Sequence, residues 1–103
     1  MSDQNPLRVR LCESRGGSTS VFIDAEIDDD GALLISGQDV GEAPAKWWGD
    51  EDYEYWVRVL PRDKDRVLLA LLETLYAGNT SADTALMELL KAKDIPYEFS
   101  SYA

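Results

Sequence analysis

The side chains best suited to binding another molecule lie close together between positions 47 and 56. This ten-residue segment holds five aromatic side chains and four carboxylates, and we call it the aromatic-acidic segment. Aromatic side chains provide large contact areas, and carboxylates beside them complement a basic partner, a combination found at protein interfaces. We therefore predict a partner-binding surface formed by Trp47, Trp48, Asp50, Glu51, Asp52, Glu54 and Trp56.

The same segment also has a simpler interpretation as part of a hydrophobic core. Residues from Asp52 to Leu60 alternate as in a strand, with Tyr53, Tyr55, Val57 and Val59 on one face. In this interpretation both tyrosines and one of the two adjacent tryptophans pack inside the protein. The sequence alone leaves both interpretations open.

Nucleophilic catalysis finds no support in the side chains of this chain. A serine or cysteine nucleophile usually needs a neighbouring base that titrates near neutrality, most often histidine, and the chain has none. Cys12 is the only cysteine, which excludes an internal disulfide and a cysteine-based zinc site, and we interpret it as a small packing residue. We predict no catalytic residues and a protein that is not an enzyme.

An acidic run from Asp28 to Asp30, followed by Gly31, invites a calcium interpretation because calcium prefers carboxylate oxygens. The spacing argues against it: with Gly31 as the central glycine of an EF-hand loop, Gly37 stands where the bidentate glutamate belongs. We therefore predict a hairpin turn and no metal or cofactor. An enzyme that combines other carboxylates with a divalent metal remains an alternative hypothesis.

The overall charge restricts the class of partner. Ten basic against twenty acidic residues give a formal net charge of −10. Such a field repels phosphate backbones and anionic lipids, so we predict neither nucleic-acid nor membrane binding, and a basic protein as the favoured partner. Since the polar start lacks a secretory pattern and no apolar run approaches about 18 residues, we expect a cytoplasmic protein.

Alternating and helical patterns predict the elements that position these residues. The first strand should place Leu7, Val9 and Leu11 on one side and Arg8, Arg10 and Cys12 on the other. Further patterns predict strands over 19–27, 32–36, 52–60 and 95–99, a short helix near 43–48, and helices over 67–76 and 82–93.

These elements predict one α+β domain spanning residues 1–103. Each strand has one apolar face, and both long helices carry one apolar stripe, so the economical packing lays the helix pair on one face of an antiparallel sheet. We predict a two-layer sandwich of about five strands in the order ββββααβ.

Four stretches of the chain resemble a group of small uncharacterised bacterial proteins. They are Gly37-Gln38-Asp39-Val40-Gly41, Trp48-Gly49, Asp52-Tyr53-Glu54-Tyr55-Trp56 and Ile95-Pro96-Tyr97-Glu98-Phe99. Some members of this group look like immunity proteins of bacterial toxin systems. The resemblance implies a role in binding a toxin and carries no catalytic residue with it.

Two functional hypotheses follow. The first is a protein-binding module, of which an immunity-type inhibitor of a basic toxin such as a nuclease is one form, since occluding a site needs no chemistry of its own. The alternative is a self-associating structural or regulatory domain, in which the aromatic side chains and the last edge strand build a homodimer.

Overall fold

A computed structural model describes residues 7–49 and 52–102, without the side chains of residues 43, 45 and 48. Contacts divide the chain into two compact units, one ending at Val67 and the other starting at Leu68, and each is described by itself. The expectation of one domain over residues 1–103 stays a prediction.

The first unit contains a four-stranded antiparallel sheet in which each strand pairs with the next along the chain, so that β1 and β4 form the edges. The predicted combination of an antiparallel sheet with helices is confirmed. The strands are β1 (Arg8–Ser14), β2 (Thr19–Ile27), β3 (Leu33–Gly41) and β4 (Asp52–Val59).

The turn between β2 and β3 is held by the side chain of Asp28. Its Oδ1 accepts hydrogen bonds from the backbone N–H groups of Asp30 at 2.9 Å and Ala32 at 3.0 Å. Gly31 has a φ of 85°, which glycine adopts without the steric cost of a side chain. The predicted hairpin turn is therefore confirmed, and its first carboxylate has a structural role.

A β-bulge in β1 determines which side chains share a face. Arg10 pairs with Asp24, but the register then shifts so that Cys12 pairs with Ile23 and Leu11 is the extra residue. One additional residue reverses the alternation, so Cys12 joins the apolar face that Ile23 occupies. The prediction that Cys12 shares a side with the arginines of β1 is wrong for this reason.

The two faces of the sheet differ in composition. The apolar face carries Val9, Cys12, Ile23, Ala25, Ile35, Tyr53, Tyr55 and Val57. The charged face carries Arg8, Arg10, Glu13, Phe22, Asp24, Glu26, Ser36, Gln38, Asp52, Glu54, Trp56 and Arg58.

Helix α1 (Glu42–Trp48) connects β3 to β4 and confirms the short helix predicted there. It contacts β2, β3 and β4, and its Pro44 is buried. Proline is compatible with the first turn of a helix, where its missing N–H would have no helical acceptor. The backbone N–H of Glu42 instead anchors the start of the helix through a bond to the carbonyl of Ser18 at 3.1 Å.

Two longer helices follow the sheet, as predicted. Helix α2 (Lys64–Tyr76) begins in the first unit after a 3-10 turn at Pro61–Asp63, and α3 (Ala82–Ala92) lies in the second unit. Gly78, with a φ of 82°, lies just beyond the end of α2. None of the described helices is long and apolar enough to cross a bilayer.

Helix α3 ends close to the predicted position, but the segment that follows it departs from the prediction. Asp94 has a left-handed φ of 58°, and the N–H of Ile95 donates to the carbonyl of Leu90 at 2.9 Å, which closes the helix as a Schellman motif. Within the described part of the chain, residues 95–102 pair with no strand.

The sheet therefore has four strands instead of about five, and the order ββββααβ is wrong in its last element. Ile95, Tyr97 and Phe99 alternate as in a strand, but a strand also needs the edge of another strand to pair with. In addition, Pro96 lacks the backbone N–H that would donate a hydrogen bond to a neighbouring strand. The predicted helix layer on one face of the sheet stays a prediction.

Candidate functional site

Strand β4 separates the aromatic-acidic segment into two sets of side chains. Asp52, Glu54 and Trp56 lie on the charged face, whereas Tyr53 and Tyr55 alternate to the apolar face. The side chain of Trp56 is 60% exposed, and both tyrosines are half-buried. Within β4, the packing interpretation therefore describes the two tyrosines, and the exposed-surface interpretation describes Asp52, Glu54 and Trp56.

The tyrosines are fixed by contacts within the sheet. The hydroxyl of Tyr55 donates to Oδ1 of Asp39 at 2.9 Å, and the rings of Tyr53 and Tyr55 lie 5.4 Å apart. Burial of the hydroxyl, together with its hydrogen bond to the Asp39 carboxylate, raises the pKa of Tyr55 to about 12. These contacts within the protein account for the positions of both tyrosine side chains, and no second protein is needed to explain them.

Across the same charged face, β1 and β2 form a network of ion pairs. Asp24 accepts hydrogen bonds from Nη2 of Arg8 at 2.9 Å and from Nε of Arg10 at 2.6 Å, and Arg8 also reaches Glu26 at 3.2 Å. Burial of Asp24 alone would raise its pKa, but the bonds from Arg10 and Arg8 outweigh burial and lower it.

The bulge in β1 adds a third carboxylate to this network. Glu13 accepts bonds from Nη1 of Arg10 at 2.6 Å and from Nε of Arg15 at 2.9 Å, and the bond from Arg15 is the main cause of its lowered pKa. Both guanidinium groups lie over the ring of Phe22, at 5.4 Å for Arg10 and 5.0 Å for Arg15. Three arginines thus meet three carboxylates on this part of the face.

The ion-pair network and the exposed face of β4 border the same open depression. Its volume is about 570 Å³, and its lining residues are Arg8, Arg10, Glu13, Arg15, Phe22, Asp24, Ser36, Gly37, Gln38, Glu54 and Trp56. Because β1 and β4 are the two edges, the depression extends across the whole width of the sheet.

Glu54 differs from the other charged groups that line this depression. Among the residues that the structure describes, its exposed carboxylate has no hydrogen bond or ion pair, whereas Arg8, Arg10 and Arg15 are all paired. Its neighbour Asp52 accepts a bond from Nε2 of Gln38 at 2.9 Å. The unmatched charge in the depression is therefore negative and lies beside Trp56.

The other predicted site residues have different positions. Trp47 lies on α1 with 72% of its side chain exposed and has the ammonium of Lys46 5.9 Å from its ring. Trp48 ends that helix, but its side chain is outside the described part of the structure, as are Asp50 and Glu51 entirely. The structure therefore brings together Asp52, Glu54 and Trp56 of the predicted set.

Of the eleven residues that line the depression, the predicted site included only Glu54 and Trp56. Those that sequence reasoning missed include Glu13, Arg15, Phe22 and Gln38. The alternation in the first strand gives no sign of the bulge that turns Glu13, the counterion of Arg15, to the charged face. Gln38 on β3 pairs directly with Phe22 on β2. This pairing follows from the register of the two strands, which the sequence does not give.

No family model, curated protein or solved structure matches this chain. Within residues 7–49 and 52–102, no group of three or more histidine, cysteine or acidic side chains is arranged to hold a metal ion.

Proposed function

We propose that this chain is a protein-binding module that uses the β4 side of its charged face to bind a basic protein. One observation carries the proposal: Glu54 has no side-chain partner among the described residues and lies beside the exposed indole of Trp56. An aromatic side chain supplies contact area, and an adjacent unpaired carboxylate favours a cationic partner group over a neutral or anionic one.

The charge distribution along the chain supports the same partner. The sixteen residues from Asp39 to Glu54 contain six carboxylates and a single cation, Lys46. Charges concentrated next to a binding surface increase the rate at which an oppositely charged protein associates, and salt reduces this effect. We infer that attraction toward a basic protein is strongest around β4.

One form of this function is an immunity-type inhibitor in the cytoplasm. A nuclease presents basic side chains to bind phosphate, so an acidic surface that covers them blocks the substrate without any chemistry of its own. The four sequence stretches resemble a group of uncharacterised bacterial proteins, some of which look like immunity proteins, and this resemblance agrees with the inhibitor form. The inhibitor would act by occupying the active-site groove of its toxin.

Affinity capture from a native lysate, followed by inhibition assays on the captured protein, tests this function. We expect a basic protein to be captured at low salt and less of it at moderate salt, and a captured nuclease to lose activity when the chain is added. Capture of neutral or acidic proteins only would contradict the proposal that the chain binds a basic protein. A captured nuclease that keeps its activity would contradict the proposal of an immunity-type inhibitor.

Variants show whether the β4 surface is responsible. The double substitution of Glu54→Ala and Trp56→Ala should weaken binding of the captured partner by about tenfold or more. The matched control replaces two exposed residues elsewhere, Glu88→Ala and Tyr102→Ala, and should keep its affinity. Far-ultraviolet dichroism must stay unchanged in both, and equal affinities of the two double variants would exclude this surface.

A second candidate function, self-association, is favoured by a different observation. Val57 on edge strand β4 is 60% exposed, and the alternating Ile95, Tyr97 and Phe99 are exposed without pairing to any described strand. We propose as an alternative that these segments meet between two copies, since an edge strand readily pairs with another chain. A concentration-independent mass of 11.5 kDa by light scattering would exclude this alternative.

A further inference from the structure

We propose that the depression on the charged face binds an arginine side chain of the partner, with its guanidinium between Glu54 and Trp56. This inference rests on the proposed function and specifies which group of the basic partner is recognised. Glu54 and Trp56 are two residues apart on β4 and therefore point to the same side, about 7 Å apart along the strand. One guanidinium can donate to the carboxylate while its flat face covers the indole.

The protein already shows this arrangement on the same face. Arg15 donates to Glu13 at 2.9 Å and lies 5.0 Å from the centre of the Phe22 ring. Glu54 and Trp56 are the same two kinds of group, a carboxylate and an aromatic ring, and no described arginine occupies them. An arginine from another protein would therefore complete a second copy of an internal motif.

An anionic ligand does not fit the depression. The three arginines that line it are already bonded to Glu13, Asp24 and Glu26, and the ring of Phe22 is already covered by two guanidinium groups. A phosphate or carboxylate would have to break these ion pairs and would also meet the charge of Glu54. The open groups of the depression thus select for a cation.

The neighbouring polar groups favour arginine over lysine. Nε2 of Gln38 donates to Asp52, which leaves the side-chain oxygen Oε1 of Gln38 as a second acceptor. Gln38 on β3 pairs directly with Glu54 on β4. A guanidinium carries five N–H donors in a plane and can serve two acceptors while stacking on a ring, whereas an ammonium is a compact point charge. A depression of about 570 Å³ has room for the whole side chain.

A peptide titration tests the site with the full chain labelled with ¹⁵N. The probe is an end-blocked Gly-Arg-Gly peptide, with Gly-Lys-Gly and Gly-citrulline-Gly peptides for comparison, and the signal followed is the indole N–H of Trp56, assigned with Trp56→Phe. We expect a saturable shift with a Kd on the order of millimolar for the arginine peptide, about fivefold weaker binding for lysine, and no saturable shift for citrulline.

Two carboxylate variants separate a specific contact from general charge attraction. Glu54→Gln should weaken the arginine peptide about tenfold, whereas Glu88→Gln, which removes the same charge from the exposed surface of α3, should leave the Kd unchanged. Equal weakening by both variants, no saturable shift with arginine, or the same shift produced by inorganic phosphate would overturn the proposal.

The captured partner distinguishes this inference from the proposed function. If the wild-type chain and Glu54→Gln bind the captured basic protein equally while the Glu54→Ala, Trp56→Ala double variant binds weakly, the arginine site is wrong and the binding surface stands. If no basic protein is captured but the arginine peptide binds through Glu54, the broader function is wrong.

Discussion

The ring of Tyr55 on β4 lies directly over Gly37, the residue that faces it on β3. A β-carbon at position 37 would overlap Cε2 and Cζ of this ring, so the ring packs against backbone that only glycine leaves uncovered. From there the Tyr55 hydroxyl reaches Asp39 at 2.9 Å. This contact explains why a strand tolerates a glycine in its middle, where glycine ordinarily weakens it.

Substitution of Gly37→Ala should therefore destabilise the protein strongly. The added methyl group displaces the Tyr55 ring and breaks its hydrogen bond, which we expect to lower the free energy of unfolding by about 2–3 kcal/mol. Urea unfolding followed by circular dichroism measures this change. Gly16→Ala is the matched control because nothing lies within 4 Å of the added atom, and equal losses in the two variants would contradict the packing argument.

The raised pKa of Tyr55 predicts a stability change at high pH. Because the folded value is about 12 against an ordinary 10.0, its contribution is complete below pH 10 and is lost as the pH rises through about 12. Titration of tyrosinate absorbance should show a late-ionising component from Tyr55. Tyr55→Phe should remove that component and cost about 1 kcal/mol at neutral pH, whereas Tyr102→Phe should retain it.

The lowered pKa of Asp24 predicts a loss of stability in acid. A carboxylate whose folded pKa lies below its ordinary 3.8 stabilises the fold above that pH, and the contribution disappears as the pH falls through the folded value. Asp24→Asn should cost about 1 kcal/mol at neutral pH, since the surrounding arginines are partly exposed.

The pH dependence of this variant distinguishes the ion pairs from a packing effect. In acid-unfolding curves, the difference in free energy of unfolding between wild type and Asp24→Asn should disappear as the pH falls below 3.8. Asp29→Asn, which removes an exposed carboxylate with no ion pair among the described residues, is the matched control and should leave the free energy of unfolding at neutral pH unchanged. A constant difference for Asp24→Asn would show that its ion pairs contribute nothing.

The left-handed residue at the end of α3 predicts a stabilising substitution. Asp94 has a φ of 58°. This left-handed conformation is unfavourable for a residue with a side chain, whereas glycine adopts it at little cost in free energy. Asp94→Gly should raise the free energy of unfolding by about 0.5 kcal/mol. Lys93→Gly, at a φ of −99°, should give no such gain, and a higher thermal midpoint for it than for Asp94→Gly would refute this explanation.

Local patterns predicted most of the fold because they depend only on near neighbours in the chain. The two long helices, the short α1 and the hairpin turn at Asp28 all follow from spacing and turn residues. The fifth strand failed because pairing needs a free edge at the right place, which the alternation from Ile95 to Phe99 cannot specify. Sequence reports local preference, and sheet membership is decided by distant residues.

The candidate site was predicted in part for the same reason. Glu54 and Trp56 stand out as an acidic and an aromatic residue on one strand, so composition and alternation suffice to find them. Glu13, the counterion of Arg15, faces Phe22 only because the bulge shifts the register between β1 and β2 by one residue. No periodic pattern contains that shift.

The bulge at Leu11 also affects the charge balance that an approaching molecule meets in the depression. Without the extra residue, regular alternation would turn Cys12 toward the charged face and Glu13 away from it, and Arg10 and Arg15 would lose a shared counterion. Arg15 would then lack its counterion, and the surplus negative charge that Glu54 gives the depression would be balanced. The extra residue at one edge of the sheet thus keeps the arginines there neutralised, so that the charge of Glu54 at the opposite edge stays in surplus and favours a cationic molecule.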